Sequence, residues 1–128
     1  MATTGDAVTA FFEDLNDREY EPLLRSVTGT VRFDLVSGKK TERWLLQIRK
    51  GNLAVSHRHL AADTVIRLSR TLFESMVDGR TNLLAATLRG EVDLEGDYRL
   101  VIMVRRLLRR RLAVRTPAVA AGYARRQR

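Results

Sequence analysis

The spacing of apolar residues changes along the chain, and each change marks a new element. Val8, Phe11, Phe12 and Leu15 fall at i, i+3, i+4 and i+7, which predicts an amphipathic helix from near Asp6 to near Asp17. Tyr20, Leu23, Leu24 and Val27 repeat that spacing, and Pro22 is tolerated in a first turn, so a second short helix is expected. From Thr28 the period becomes two. Val31, Phe33 and Leu35 alternate with Arg32 and Asp34, and after a turn-like Ser37-Gly38-Lys39-Lys40 the next strand puts Trp44, Leu46 and Ile48 on one face. Gly51-Asn52 suits a tight hairpin turn into Leu53-Ala54-Val55. A fourth strand is expected at Thr64 to Leu68, then a helix capped by Ser69 that carries Leu72, Phe73, Met76 and Val77.

Residues 78–100 are the most heavily punctuated part of the chain. Gly79 and Gly90 stand where helical patterns end, and glycine takes the left-handed conformation of a helix C-terminus without steric cost. Thr81 is placed to N-cap a short apolar helix bearing Leu83, Leu84 and Leu88. Glu91 to Glu95 alternates strictly, as a strand with one buried face does, and Asp97 follows Gly96 as the cap of a long helix. That helix is expected from Tyr98 to about Leu112. Leu100, Val101, Met103, Val104, Leu107, Leu108 and Leu112 occupy half of its wheel, opposite Arg99, Arg105, Arg106, Arg109 and Arg110, with Ile102 among the arginines. The boundary drawn here gives one domain over residues 1–112 and a flexible basic tail over 113–128. Strands grouped together rather than alternating with helices indicate an α+β fold.

The spacing G-x-T-N…A…G-x-x-x-x-x-G-D, carried by Gly79, Thr81, Asn82, Ala86, Gly90, Gly96 and Asp97, resembles the sterol carrier protein type-two family. Upstream, the strand Gly29 to Leu35, the Trp-bearing strand Trp44 to Ile48 and the Ala62-Asp63-Thr64-Val65-Ile66 stretch extend the likeness, so it covers roughly Gly29 to Leu108. The resemblance implies an α+β domain with a five-stranded, mostly antiparallel sheet, helices on one face and an apolar tunnel between the layers. It also implies non-catalytic binding or transfer of a hydrophobic ligand such as a sterol, fatty acyl chain or isoprenoid lipid. On that expectation the lining is Phe33, Leu35, Trp44, Leu46, Ile48 and Ile66 from the sheet with Phe73, Met76, Leu84, Leu88, Val104 and Leu108 from the helices. Periodicity does not distinguish a tunnel from a filled core. A cavity of several hundred Å³ favours the carrier; a packed interior favours a ligand-free module that docks acidic partners.

Charge separates the ends of the chain. The net charge is +8, yet residues 1–98 hold all 15 acids and 13 Lys and Arg, whereas residues 99–128 hold ten Arg and no acid. Three readings are open for this basic end: a solvated helix face, a docking surface for anionic membrane through Arg105, Arg106, Arg109 and Arg110, or a contact for nucleic acid or an acidic protein. Against nucleic acid, the region offers only Tyr123 for base stacking and no reading motif.

Other chemistry finds little support. There is no cysteine, hence no disulfide framework or thiolate nucleophile. His57 and His59 with Asp63 nearby would suit zinc but lack a fourth ligand, and Glu91, Asp93 and Glu95 lie on the solvent side of their strand, so neither metal nor cofactor is expected. No nucleophile elbow, phosphate loop or dinucleotide fingerprint occurs, so the expectation is not an enzyme. The first 17 residues have no basic leader and carry acids within their apolar pattern, and no apolar run approaches the roughly 18 residues of a membrane span, so a cytoplasmic, at most peripheral, location is expected.

Overall fold

The computed structural model describes residues 6–115, with side chains as far as Leu108; the predicted tail beyond 115 lies outside the described residues. The elements are α1 (Ala7–Arg18), a 3-10 turn (Pro22–Leu24), β1 (Thr28–Ser37), β2 (Lys40–Arg49), β3 (Asn52–Ser56), β4 (Thr64–Ser69), α2 (Arg70–Val77), α3 (Leu83–Leu88), β5 (Asp93–Gly96) and α4 (Tyr98–Arg115). The strands form one sheet in the order β3-β2-β1-β4-β5. All neighbours are antiparallel except β1 and β4, which run parallel. The α+β class and five-stranded sheet of the sequence reading are present.

One face of the sheet carries the core. Val31, Phe33 and Leu35 of β1 stand opposite Leu46, Trp44 and Glu42 of β2, and Phe33 is also level with Ile66 of β4. Onto this face α1 turns Val8, Phe11, Phe12 and Leu15, and α2 turns Phe73, Met76 and Val77. Five aromatic rings meet at the centre. Phe12 stacks on Trp44 at 4.5 Å and on Phe73 at 5.6 Å, and its edge meets Phe33 at 5.1 Å; Phe11 reaches Phe73 at 5.8 Å. Such contacts add to simple area burial and fix ring orientation.

Among the described residues, no helix covers the opposite face. The β3–β4 connection crosses it: Arg32 Nη1 donates to the Leu60 carbonyl, and Asp63 accepts from the Thr30 amide at 2.9 Å while its own amide donates to the Thr30 hydroxyl at 2.9 Å. Asp34 lies on this face yet is buried, because Arg32 grips it through two hydrogen bonds (2.9 and 3.1 Å) and Arg43 and Arg67 approach within 3.7 and 4.0 Å.

Four local expectations are corrected. The second helix shrinks to one 3-10 turn, because the backbone before it joins the β2–β3 hairpin: Glu21 N–H donates to Gly51 O, and Leu53 N–H donates to Glu19 O. The hairpin turn is Lys50-Gly51 rather than Gly51-Asn52, both at positive φ (48° and 88°), and Asn52 already pairs with Arg49. Asn82, not Thr81, caps α3 by accepting from the Ala85 amide at 3.1 Å; the Thr81 hydroxyl pairs with that of Ser75. The long helix continues to Arg115, three residues past its predicted end.

Candidate functional site

Ten of the twelve residues expected to line a ligand space do converge between the layers. Phe33, Leu35, Trp44, Leu46, Ile48, Ile66, Phe73, Met76, Val104 and Leu108 are all buried in one continuous cluster. Leu84 and Leu88 are not part of it. They are 50% and 79% exposed, and Leu83 and Ala86 take the inward positions instead. A helix of six residues buries a single i, i+3 stripe, and the Asn82 cap sets which stripe that is.

Trp44 faces α1, as a lining residue should, but its indole is not free. Its Nε1 donates to Glu42 at 2.6 Å, and the His57 ring lies 3.9 Å from its centre. His57 Nδ1 is hydrogen-bonded to the Arg43 carbonyl and Asp63 is tied to Thr30, so these two belong to the scaffold in the arrangement seen. Glu91 pairs with Arg89 at 2.9 Å.

Glu42 connects Trp44 to a charged clamp that holds the helical layer together. Arg70, the first residue of α2, donates to Glu42 at 2.9 Å, to Asp6 at 2.7 and 2.8 Å and to Glu74 at 2.5 Å. Asp6 in turn caps α1 through the Val8 and Thr9 amides. Partial burial pushes the Asp6 carboxyl up, but hydrogen bonds from Thr9 and Arg70 more than offset this and bring it down to about 2. The same contacts hold the Arg70 guanidinium more firmly protonated than usual. Nothing in the hydrophobic pattern signals this hub.

Buried side chains form one continuous apolar cluster between the sheet and the helices. Among the described residues, one opening onto the predicted lining lies where α2, α3 and α4 meet, a cleft of about 120 Å³ bounded by Met76, Gly79, Thr81, Asn82, Leu83, Arg105 and Leu108, and another of about 360 Å³ lies beside Trp44, between Phe12 and Asn16 of α1 and Val55 of β3. Both openings lie at the edge of the core, the first against α2, α3 and α4 and the second against α1 and β3. Two further hollows are a space of about 460 Å³ near Thr28, Gln47 and Asp63, which also touches Ile48, and one of about 450 Å³ between Val27 and α4.

Arg105 departs from its predicted role as an outward docking residue. It is half-buried and lines the cleft, because it lies one turn from Leu108 on the inward edge of α4, whereas Arg106 is exposed as expected. The side chains of Arg109 and Arg110 lie outside the described ones. Ile102 is exposed on α4.

With this arrangement in view, the sequence matches the SCP-2 sterol transfer family over residues 8–109. The chain belongs to that family. The fold is shared with a sterol carrier protein domain 2 of Helicoverpa armigera (18% identity, TM-score 0.67, 84% of this chain and 89% of that one). It is shared also with sterol carrier protein 2 of Yarrowia lipolytica in its apo form (21%, TM-score 0.64, 76% and 85%). A stereoselective inverting sec-alkylsulfatase from Pseudomonas sp. contains a similar unit (19%, TM-score 0.62), covering 76% of this chain but 15% of the enzyme. No curated protein sequence matches the chain.

Proposed function

We propose that this domain binds one hydrophobic molecule between its sheet and helices and hands it on without chemical change. The observation that carries the reading is the cleft at the α2–α3–α4 junction, whose floor (Met76, Leu83, Leu108) is continuous with the apolar core in a chain of the SCP-2 sterol transfer family. The driving force is removal of hydrocarbon from water, about 0.8 kcal/mol per buried methylene. Met76, Leu83 and Leu108 are buried in the core cluster, so a ligand enters at this cleft as α3 and α4 give way. Met76 suits this, since a flexible, polarizable thioether repacks around irregular apolar shapes. Glu42, the carboxylate beside the aromatic centre, is held by Arg70 and Trp44, which gives it a structural part and supports a carrier.

Trp44 reports on this directly, because its ring forms part of the aromatic centre. Titration with a fatty acid or a sterol should change its fluorescence to saturation at one molar equivalent. Emission indifferent to every lipid offered would remove the assignment.

A second element of the reading concerns where the ligand comes from. The exposed edge of α4 presents Ile102 beside Arg99 and Arg106, an apolar residue among cations, which suits the surface of an anionic membrane. No helix among the described residues is long and apolar enough to cross a membrane, so the contact proposed is peripheral.

A further inference from the structure

We infer that Arg105 holds the anionic head of the ligand, so that the cleft selects a single-chain lipid ending in a carboxylate over a neutral lipid. This rests on the lipid-binding reading and adds to it a polar anchor, an orientation and a chemical class.

Three observations support it. First, the Arg105 Nε is buried and makes no hydrogen bond. A buried donor left unpaired is costly, and more so on a charged group, unless an acceptor can reach it. Second, the other half-buried arginines, Arg18, Arg32, Arg43 and Arg70, each have a carboxylate partner, whereas Arg105 has none among the described residues; Arg25, Arg49, Arg58 and Arg106 also lack one but are exposed to water. Its positive charge faces a cleft whose lining contains no acid. Third, the cleft is amphipathic in the right order. Arg105 and Asn82 stand over a floor of Met76, Leu83 and Leu108, and Asn82 uses its side-chain oxygen to cap α3, leaving its amide NH2 as a second donor.

A volume of about 120 Å³ suits a carboxylate and its first methylenes, not a sterol nucleus. With the head on Arg105, the chain would pass Met76 and Leu108 toward Phe73 and the aromatic centre. A guanidinium presents paired N–H donors that match a carboxylate and is less strongly hydrated than an ammonium, so it suits a half-buried head-group site.

The test compares palmitate, hexadecanol and cholesterol on the full chain by isothermal titration at pH 8 and fixed salt, below the micellar concentration of each. The wild type should bind palmitate at least tenfold more tightly than hexadecanol, a comparison that needs no variant. Arg105→Gln should abolish that preference by weakening palmitate at least tenfold while leaving hexadecanol within twofold. Arg105→Lys, which keeps the charge but not the fork, should fall between, and Arg58→Gln, at an exposed arginine far from the cleft, should match the wild type. Equal binding of palmitate and hexadecanol by the wild type would overturn the anchor while leaving the carrier reading in place, as would a preference that survives Arg105→Gln. Failure of all three lipids to bind would overturn both.

Discussion

Gly90 and Gly96 share a backbone conformation but not surroundings, and the difference predicts two very different alanine variants. Both lie at positive φ, 79° and 98°. An L side chain in this region costs about 1–2 kcal/mol through contact of Cβ with its own backbone. At Gly90 that is the whole cost, since nothing lies within 4 Å of an added Cβ. At Gly96 the Cβ would sit 2.0 Å from the Asp63 carbonyl oxygen and 2.9 Å from its carbon. That peptide cannot retreat freely. Asp63 O accepts from the Asp97 amide at 3.0 Å, and the Asp63 side chain and amide are both fastened to Thr30. Relief requires opening the β4–β5 end and the start of α4, so Gly96→Ala should lose about 3–5 kcal/mol, near the upper limit for one substitution. Gly90→Ala should lose about 1–2 kcal/mol. For a domain of this size each kcal/mol lowers Tm by about 4 °C. Urea unfolding followed by far-ultraviolet circular dichroism gives both values. Equal losses, or a larger loss at Gly90, would refute the close approach that positions α4 over the site.

Two further predictions concern charge. Arg70→Gln should reduce stability at pH 7 by about 1–2 kcal/mol, since the three ion pairs it removes are only partly shielded from solvent. The Asp6 carboxyl is held at about 2 in the fold against an ordinary 3.8, so its contribution is present above pH 3.8 and lost as pH falls toward 2. The gap between wild type and variant should therefore narrow over that window, and a gap constant from pH 7 to pH 2 would contradict the clamp. Separately, changing Arg106, Arg109 and Arg110 together to Gln should weaken sedimentation with anionic vesicles, and wild-type binding should itself decline from low to physiological salt. Undiminished binding by the triple variant would leave α4 with no part in docking.

Much of the fold was legible because its signals are local. Three glycines at positive φ, the start of α1 near Asp6, the Ser69 cap and the alternation of β1 and β2 each follow from a few consecutive residues. The failures arose where distant residues decide. Tyr20 and Leu23 have helical spacing, but pairing of the neighbouring backbone with the hairpin overrides it. Leu83, Leu84 and Leu88 are chemically equivalent along the chain, and only the cap and the packing of α3 decide which face turns inward. Asparagine ranks with or above threonine as an N-cap, so local chemistry already favours Asn82 over Thr81. The candidate site shows the same division. The apolar lining follows from period, while Arg105 was grouped with its outward neighbours because a helical wheel cannot say how far the packed face extends around α4.

The claim that matters most is that the domain carries a hydrophobic molecule, and native mass spectrometry tests it most directly. Protein purified without detergent, or incubated with one equivalent of a single-chain lipid, should retain exactly one such molecule as added mass under gentle ionisation and lose it on collisional activation. Spectra showing only the bare chain under both conditions would contradict the account.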